Sequence, residues 1–116
     1  MYVIKSLTSV LGDEILTLLP DDVEEFGFWL LADISANNIS TRMFEFFVCT
    51  PKFIAKEVAS KGSFFERGIL VVDEFDVSSI TNELELLVNT YYDENDRLGF
   101  EILERYAKSE YEGYEE

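Results

Sequence analysis

The side chains with which this chain could do chemistry are almost all carboxylates. Twenty-four Asp and Glu stand against nine Lys and Arg, with no histidine and one cysteine, Cys49, in 116 residues. Paired carboxylates can hydrolyse glycosides, one as acid and the other as base or nucleophile. In a chain this acidic some pair always lies close, so proximity singles out none. The lack of histidine removes the Ser-His and Cys-His relays and the imidazole metal ligand. Asp93-Glu94-Asn95-Asp96 has the composition of a calcium loop. It lacks the alternating acid spacing and the distal bidentate glutamate, and reads as a solvated turn. Cys49 has only Lys52 near it in sequence as an activator and reads as a small buried thiol. No Walker-type glycine loop, CxxC or GxSxG is present. The reading is a protein that is not an enzyme and has no cofactor and no metal.

The carboxylates matter instead as a field. The formal charge is −15, whereas a net charge of about 2–8 keeps a small domain soluble. The surplus repels itself across a compact surface and calls for a basic partner. It disfavours direct contact with nucleic acid or an anionic membrane. Its distribution is uneven. Residues 1–41 carry −6, residues 42–67 carry +2, and residues 68–116 carry −11. Two acidic stretches, Asp13 to Glu25 and Asp73 onward, thus flank a mildly basic helix. The candidate partner-binding residues are Asp13, Glu14, Asp21, Asp22, Glu24 and Glu25. Asp93, Glu94 and Asp96 form a second cluster, with Tyr91 and Tyr92 as aromatic anchors.

These groups need a scaffold, and the chain is long and apolar enough to build one. Hydrophobic residues make up 47% and aromatics 15%, too much for a disordered acidic tail. No segment approaches the roughly 18 apolar residues of a membrane span. The N-terminus does not read as a signal peptide, and one cysteine suits a reducing cytoplasm. Residues 2–10 are rich in β-formers. Phe28 to Ser35 and Met43 to Thr50 alternate, and the Ala36-Asn37-Asn38 turn joins them as an antiparallel hairpin. Large groups on both faces predict a sheet covered by helices on one side and partly by loops on the other.

Thr50 and Pro51 suit the N-cap and first position of a short helix, with Phe53, Ile54 and Val58 inward and Gly62 at its end. Ile69 to Val72 reads as a central strand. Asp76 caps an amphipathic helix with a stripe at Val77, Ile80, Leu84, Leu87, Val88 and Tyr91. A further helix follows the DEND turn, with Leu98, Ile102, Leu103 and Tyr106 inward. Residues 110–116 are expected to be loose. The fold class is therefore α+β, one domain over residues 1–116. It has an antiparallel or mixed sheet of about four strands with two or three helices packed on it.

The order of these motifs resembles a known family. Asp21-Asp22-Val23-Glu24-Glu25-Phe26-Gly27-Phe28-Trp29 leads into a strand. Phe46-Phe47-Val48-Cys49-Thr50-Pro51-Lys52-Phe53-Ile54-Ala55 follows, then Gly68-Ile69-Leu70-Val71-Val72, then Asp76 and its helix. Over residues 15–110 this run is similar to the Imm8 family of bacterial immunity proteins, antidotes of polymorphic or contact-dependent growth inhibition toxins. Phe53 stands where the family pattern leads one to expect tryptophan, an aromatic exchange that keeps the packing. The resemblance implies no catalytic residues. It implies a cytoplasmic protein that binds a cognate toxin domain and blocks its active or substrate-binding surface. The charge adds that the toxin is basic, as a nuclease would be. The competing reading is an acidic adaptor, secretion chaperone or nucleic-acid mimic for some other basic protein. Oligomeric state is not legible.

Overall fold

The computed structural model describes residues 1–9, 12–15, 18–36, 40–92, 94–105 and 107–109. Val10, the Asn37-Asn38 turn, Asp93, Tyr106 and the 110–116 tail lie outside the described residues. Five strands and three helices run in the order β1 (Tyr2–Ser9), β2 (Gly27–Ala36), β3 (Ser40–Cys49), α1 (Pro51–Lys61), β4 (Ile69–Val71), α2 (Val77–Thr90), α3 (Asp96–Leu103) and β5 (Lys108–Ser109). This is one mixed sheet, the expected α+β class. β1, β2 and β3 are successive antiparallel neighbours, and β4 joins β3 in parallel. The two-residue β5 pairs with β3 beside Phe44 and Glu45.

Period-two alternation decides the faces. Leu30, Ala32 and Ile34 of β2 lie on the same side as Phe44, Phe46 and Val48 of β3, and all six are buried. Ile80, Leu84 and Val88 of α2 close this core with Phe100 and Leu103 of α3. Asp76 starts α2 by accepting hydrogen bonds from the Ser78 and Ser79 backbone N–H groups. Near its other end, the Asn89 side chain holds the edge strand. Tyr2 N–H donates to Asn89 Oδ1 at 2.7 Å, and Asn89 Nδ2 donates to the Tyr2 carbonyl at 3.1 Å. The amide thereby satisfies backbone groups that an edge strand leaves without a ladder partner.

The opposite face carries Trp29 and Phe47, directly paired in register. Phe47 touches Phe53 of α1 and Phe64 of the following loop, with ring centroids 5.5 and 5.8 Å away. Gly27 makes that approach possible, because a Cβ there would meet Phe47 and Phe53 at 2.7 and 2.8 Å. α1 is thus a lid on one end of the sheet rather than a core helix. Phe53 and Ile54 are half-buried, and Val58, expected inward, is 41% exposed. Gly62 ends α1 in the left-handed conformation, φ 87°, as its position implied.

Ile69 to Val72 corrects an expectation. It forms a three-residue strand at the sheet edge, not a central strand, and Val71 is 46% exposed. An apolar run of four cannot by itself distinguish an interior strand from an edge strand lying against a covering element.

The two ends of burial on α2 give a direct test of this packing. Leu84→Ala should lower unfolding free energy by about 2–5 kcal/mol through lost burial and a cavity. Leu86→Ala, at a residue 65% exposed, should stay within about 0.5 kcal/mol. Urea denaturation of both variants checks the assignment.

Candidate functional site

At the end of β3 the chain makes a knot of hydrogen bonds around Thr50. Its extended backbone (φ −110°, ψ 161°) ends the strand and caps α1, with Pro51 at the first helical position, where no N–H is needed. The fully buried Thr50 Oγ1 accepts from the backbone N–H of Phe53 at 3.4 Å and of Phe26 at 3.3 Å. Thr50 N–H in turn donates to the Phe26 carbonyl at 3.1 Å. Phe26 is pinned on both sides of its backbone. Its buried ring lies 5.4 Å from both Phe28 and Phe75. Phe75 N–H then donates to the Val23 carbonyl at 2.7 Å.

That last bond joins the two acidic stretches. The loop carrying Asp21, Asp22, Glu24 and Glu25 is tied to the loop carrying Asp73, Glu74 and Asp76. Asp13 and Glu14 sit at the same end of the sheet. Ser9, whose N–H donates to the Asp13 carbonyl, lies opposite Leu30 near the start of β2. Asp13, Glu14, Asp21, Asp22, Glu24, Asp73, Glu74 and Asp76 are exposed there, and Glu25 is half-buried.

Two of these acids are engaged in shaping the loops. Asp22 Oδ1 accepts from Glu24 N–H at 2.9 Å, an Asx-type turn, and Asp76 caps α2. α1 supplies local counter-charge. Lys52 Nζ lies 2.6 Å from Glu24, and Lys56 Nζ lies 3.7 Å from Glu25. The hydrogen bond to Glu24, with the attraction of that carboxylate, raises the Lys52 pKa and keeps it charged. The basic helix therefore does not stand between two acidic tracts. It leans on one of them.

The second cluster is elsewhere. Asp76 caps the start of the 14-residue α2 and Tyr91 closes its other end, about 20 Å away at helical rise. Glu94 and the backbone of Asp96 follow Tyr91, so they lie beyond the other end of α2 from Asp73 and Asp76. Tyr91 and Tyr92 are half-buried against the core, and Tyr92 meets Tyr2 edge-on at 5.2 Å. Sequence reasoning therefore named the first acidic loop but missed Asp73, Glu74 and Asp76 as its neighbours. Their signal was present in the acidic stretch starting at Asp73. Their proximity to residue 23 is a tertiary fact.

The acidic end has relief. A groove of about 410 Å³ lies between the 20–28 segment and α1, with Phe26, Phe28 and Phe53 among its walls and Asp21, Asp22, Glu25, Lys56 and Glu57 around them. A depression of about 340 Å³ lies beside the start of α2, lined by Asp73, Glu74, Asp76 and Glu83 with Val71 and Val72. Among the described residues no group of three His, Cys, Asp or Glu side chains is placed to hold a metal ion. Cys49 is fully buried, and burial pushes its thiol up to about 11. A thiol so protonated is a poor nucleophile near neutrality.

The class defined by this fold and site is a small one-domain α+β protein that displays an acidic, aromatic-backed end. The family is specific: a family model described as immunity protein 8 (Imm8) matches residues 2–114, and the chain belongs to that family. The match extends the resemblance read from residues 15–110 to include β1. Neither the curated proteins nor the solved structures compared with the chain gave a match. The family is one of immunity proteins, whose partners are cognate toxins. No helix among the described residues is long and apolar enough to cross a membrane.

Two measurements follow from this geometry. Thr50→Val keeps the shape but deprives the Phe26 N–H of its acceptor, and should cost about 1–3 kcal/mol. Amide exchange should rise at Phe26 and Phe75 more than at Leu84, while Thr50→Ser, retaining the oxygen, should keep the Phe26 protection. Cys49 should resist alkylation in the folded protein at pH 8 and react on unfolding. Its folded pKa of about 11 exceeds an unfolded value near 8.5, so the native state holds the proton longer and loses stability as pH rises through that window. Cys49→Ala should flatten the fall in stability between about pH 8.5 and 11.

Proposed function

We propose that this chain is the antidote of a bacterial polymorphic or contact-dependent growth inhibition toxin, acting in the cytoplasm by binding rather than by catalysis. Its acidic end covers a basic active or substrate-binding surface on the toxin, of the kind a nuclease presents to phosphate. One observation carries the choice of face. The Phe75–Val23 hydrogen bond brings the 21–25 and 73–76 loops together in a protein of the Imm8 family. Carboxylates on adjoining loops form a one-sided field, which steers a basic partner and speeds its encounter in a salt-dependent way. Charge-assisted pairs with Lys and Arg would then hold the complex, with ring contacts at its centre.

The partner for the test is the toxin encoded beside this chain. Co-expression should rescue cells from that toxin, and persistent killing would count against the antidote role. Asp21→Lys, Asp73→Lys and Glu74→Lys together should slow association about tenfold or more at low salt and flatten its salt dependence. Glu94→Lys, at the far end of α2, should do neither. Unchanged rate and salt slope in the triple variant would remove the acidic end as the interface.

A further inference from the structure

We propose that the groove between the 20–28 segment and α1 receives an arginine side chain of the partner toxin. The inference rests on the antidote reading and deepens it by naming the anchor. The groove holds about 410 Å³, toward the lower end of the roughly 300–1,000 Å³ range for ligand pockets. It differs from the other acidic depression in its walls. Phe26, Phe28 and Phe53 line it together with Asp21, Glu25 and Glu57, the last paired with Lys61 at 2.8 Å, whereas the depression by α2 is lined by acids with valine and serine.

A lining that mixes phenylalanines with carboxylates fits one side chain better than any other. A guanidinium is planar and weakly hydrated, stacks on rings, and offers paired N–H donors to a carboxylate. A lysine ammonium keeps its water more firmly and bonds as a point charge. An acidic side chain is repelled by these carboxylates. The molecule already contains the same three-part arrangement at its far end. There the Arg42 guanidinium lies 4.9 Å from the Phe100 ring centroid while Nη1 bonds Glu104 at 2.9 Å.

The groove's own cation is loosely held. Lys56 reaches Glu25 at 3.7 Å with 73% of its side chain exposed, a pair of the kind that contributes little. An incoming guanidinium can displace it outward at small cost and take over Glu25. Gly27, also in the groove wall, lets the Phe53 ring pack directly against the strand.

The test uses the full-length, isotope-labelled protein titrated with N-acetyl-arginine methylamide at low salt, followed by amide NMR. The largest shifts should fall on Gly27, Phe28 and Lys56. The arginine compound should bind at least about threefold more tightly than its lysine counterpart. Glu25→Gln should weaken it and Lys56→Ala should tighten it, each by about two- to fivefold, the size of one exposed charge pair. Both substitutions are outside the buried core, so the fold persists.

Equal shifts around Ser79 and Glu83, or equal affinity for arginine and lysine, would overturn the groove assignment. If that happens while the chain still rescues cells from the neighbouring toxin, only the groove is lost. If the arginine compound enters the groove but the chain neither binds nor counters that toxin, the antidote reading is lost and the groove stands.

Discussion

The buried hydroxyl of Thr50 is the contact on which the arrangement of this protein most depends. A strand end, a helix start and a surface loop meet at that one side chain, through bonds to Phe53 and Phe26. Each of those backbone donors would otherwise be an unsatisfied group at the edge of the core. Phe26, once held, is a wedge between the sheet and Phe75, and Phe75 carries the second loop with it. A short polar chain of contacts thereby sets where the exposed carboxylates stand, though none of those carboxylates touches Thr50.

This explains how a strongly charged surface coexists with a modest core. The acids of the crowded end occupy loops and a helix start, where water solvates them and where Asp22 and Asp76 also satisfy backbone N–H groups. Lys52 and Lys56 offset some of the repulsion at the crowded end. The core beneath is uncharged and built on alternation. One sheet face packs on α2 and α3, while the other is closed at one end by the Trp29, Phe47, Phe53 and Phe64 rings. α1 sits between these roles, with its Phe53 ring on the sheet and Lys52 and Lys56 on the acidic loop.

Much of the local structure was legible before any coordinates. The β2–β3 hairpin, the alternation of both strands, the caps at Thr50 and Asp76, and the left-handed Gly62 all follow from spacing and from what each residue type does to the backbone. The errors lie where local pattern does not encode surroundings. Val58 has a helical inward spacing, but α1 covers too little to bury it. Ile69 to Val72 has a buried strand's composition, yet among the described residues only β3 pairs with it.

Charge behaves in the same way. Sequence by itself determined how many carboxylates there are, that they fall in two stretches, that histidine-dependent chemistry is absent, and which segments form β1 to β4 and the three helices. Those properties reside in residue types and short spacings. Tertiary structure alone decided that the loop carrying Asp21 is bonded to the loop carrying Asp73, and that Glu94 lies beyond the other end of α2. α2 spans about 20 Å, so acids at its start and acids beyond its end stand well apart. Direction along a helix and pairing across a sheet bring residues about fifty positions apart into one surface, and no count along the chain contains that distance.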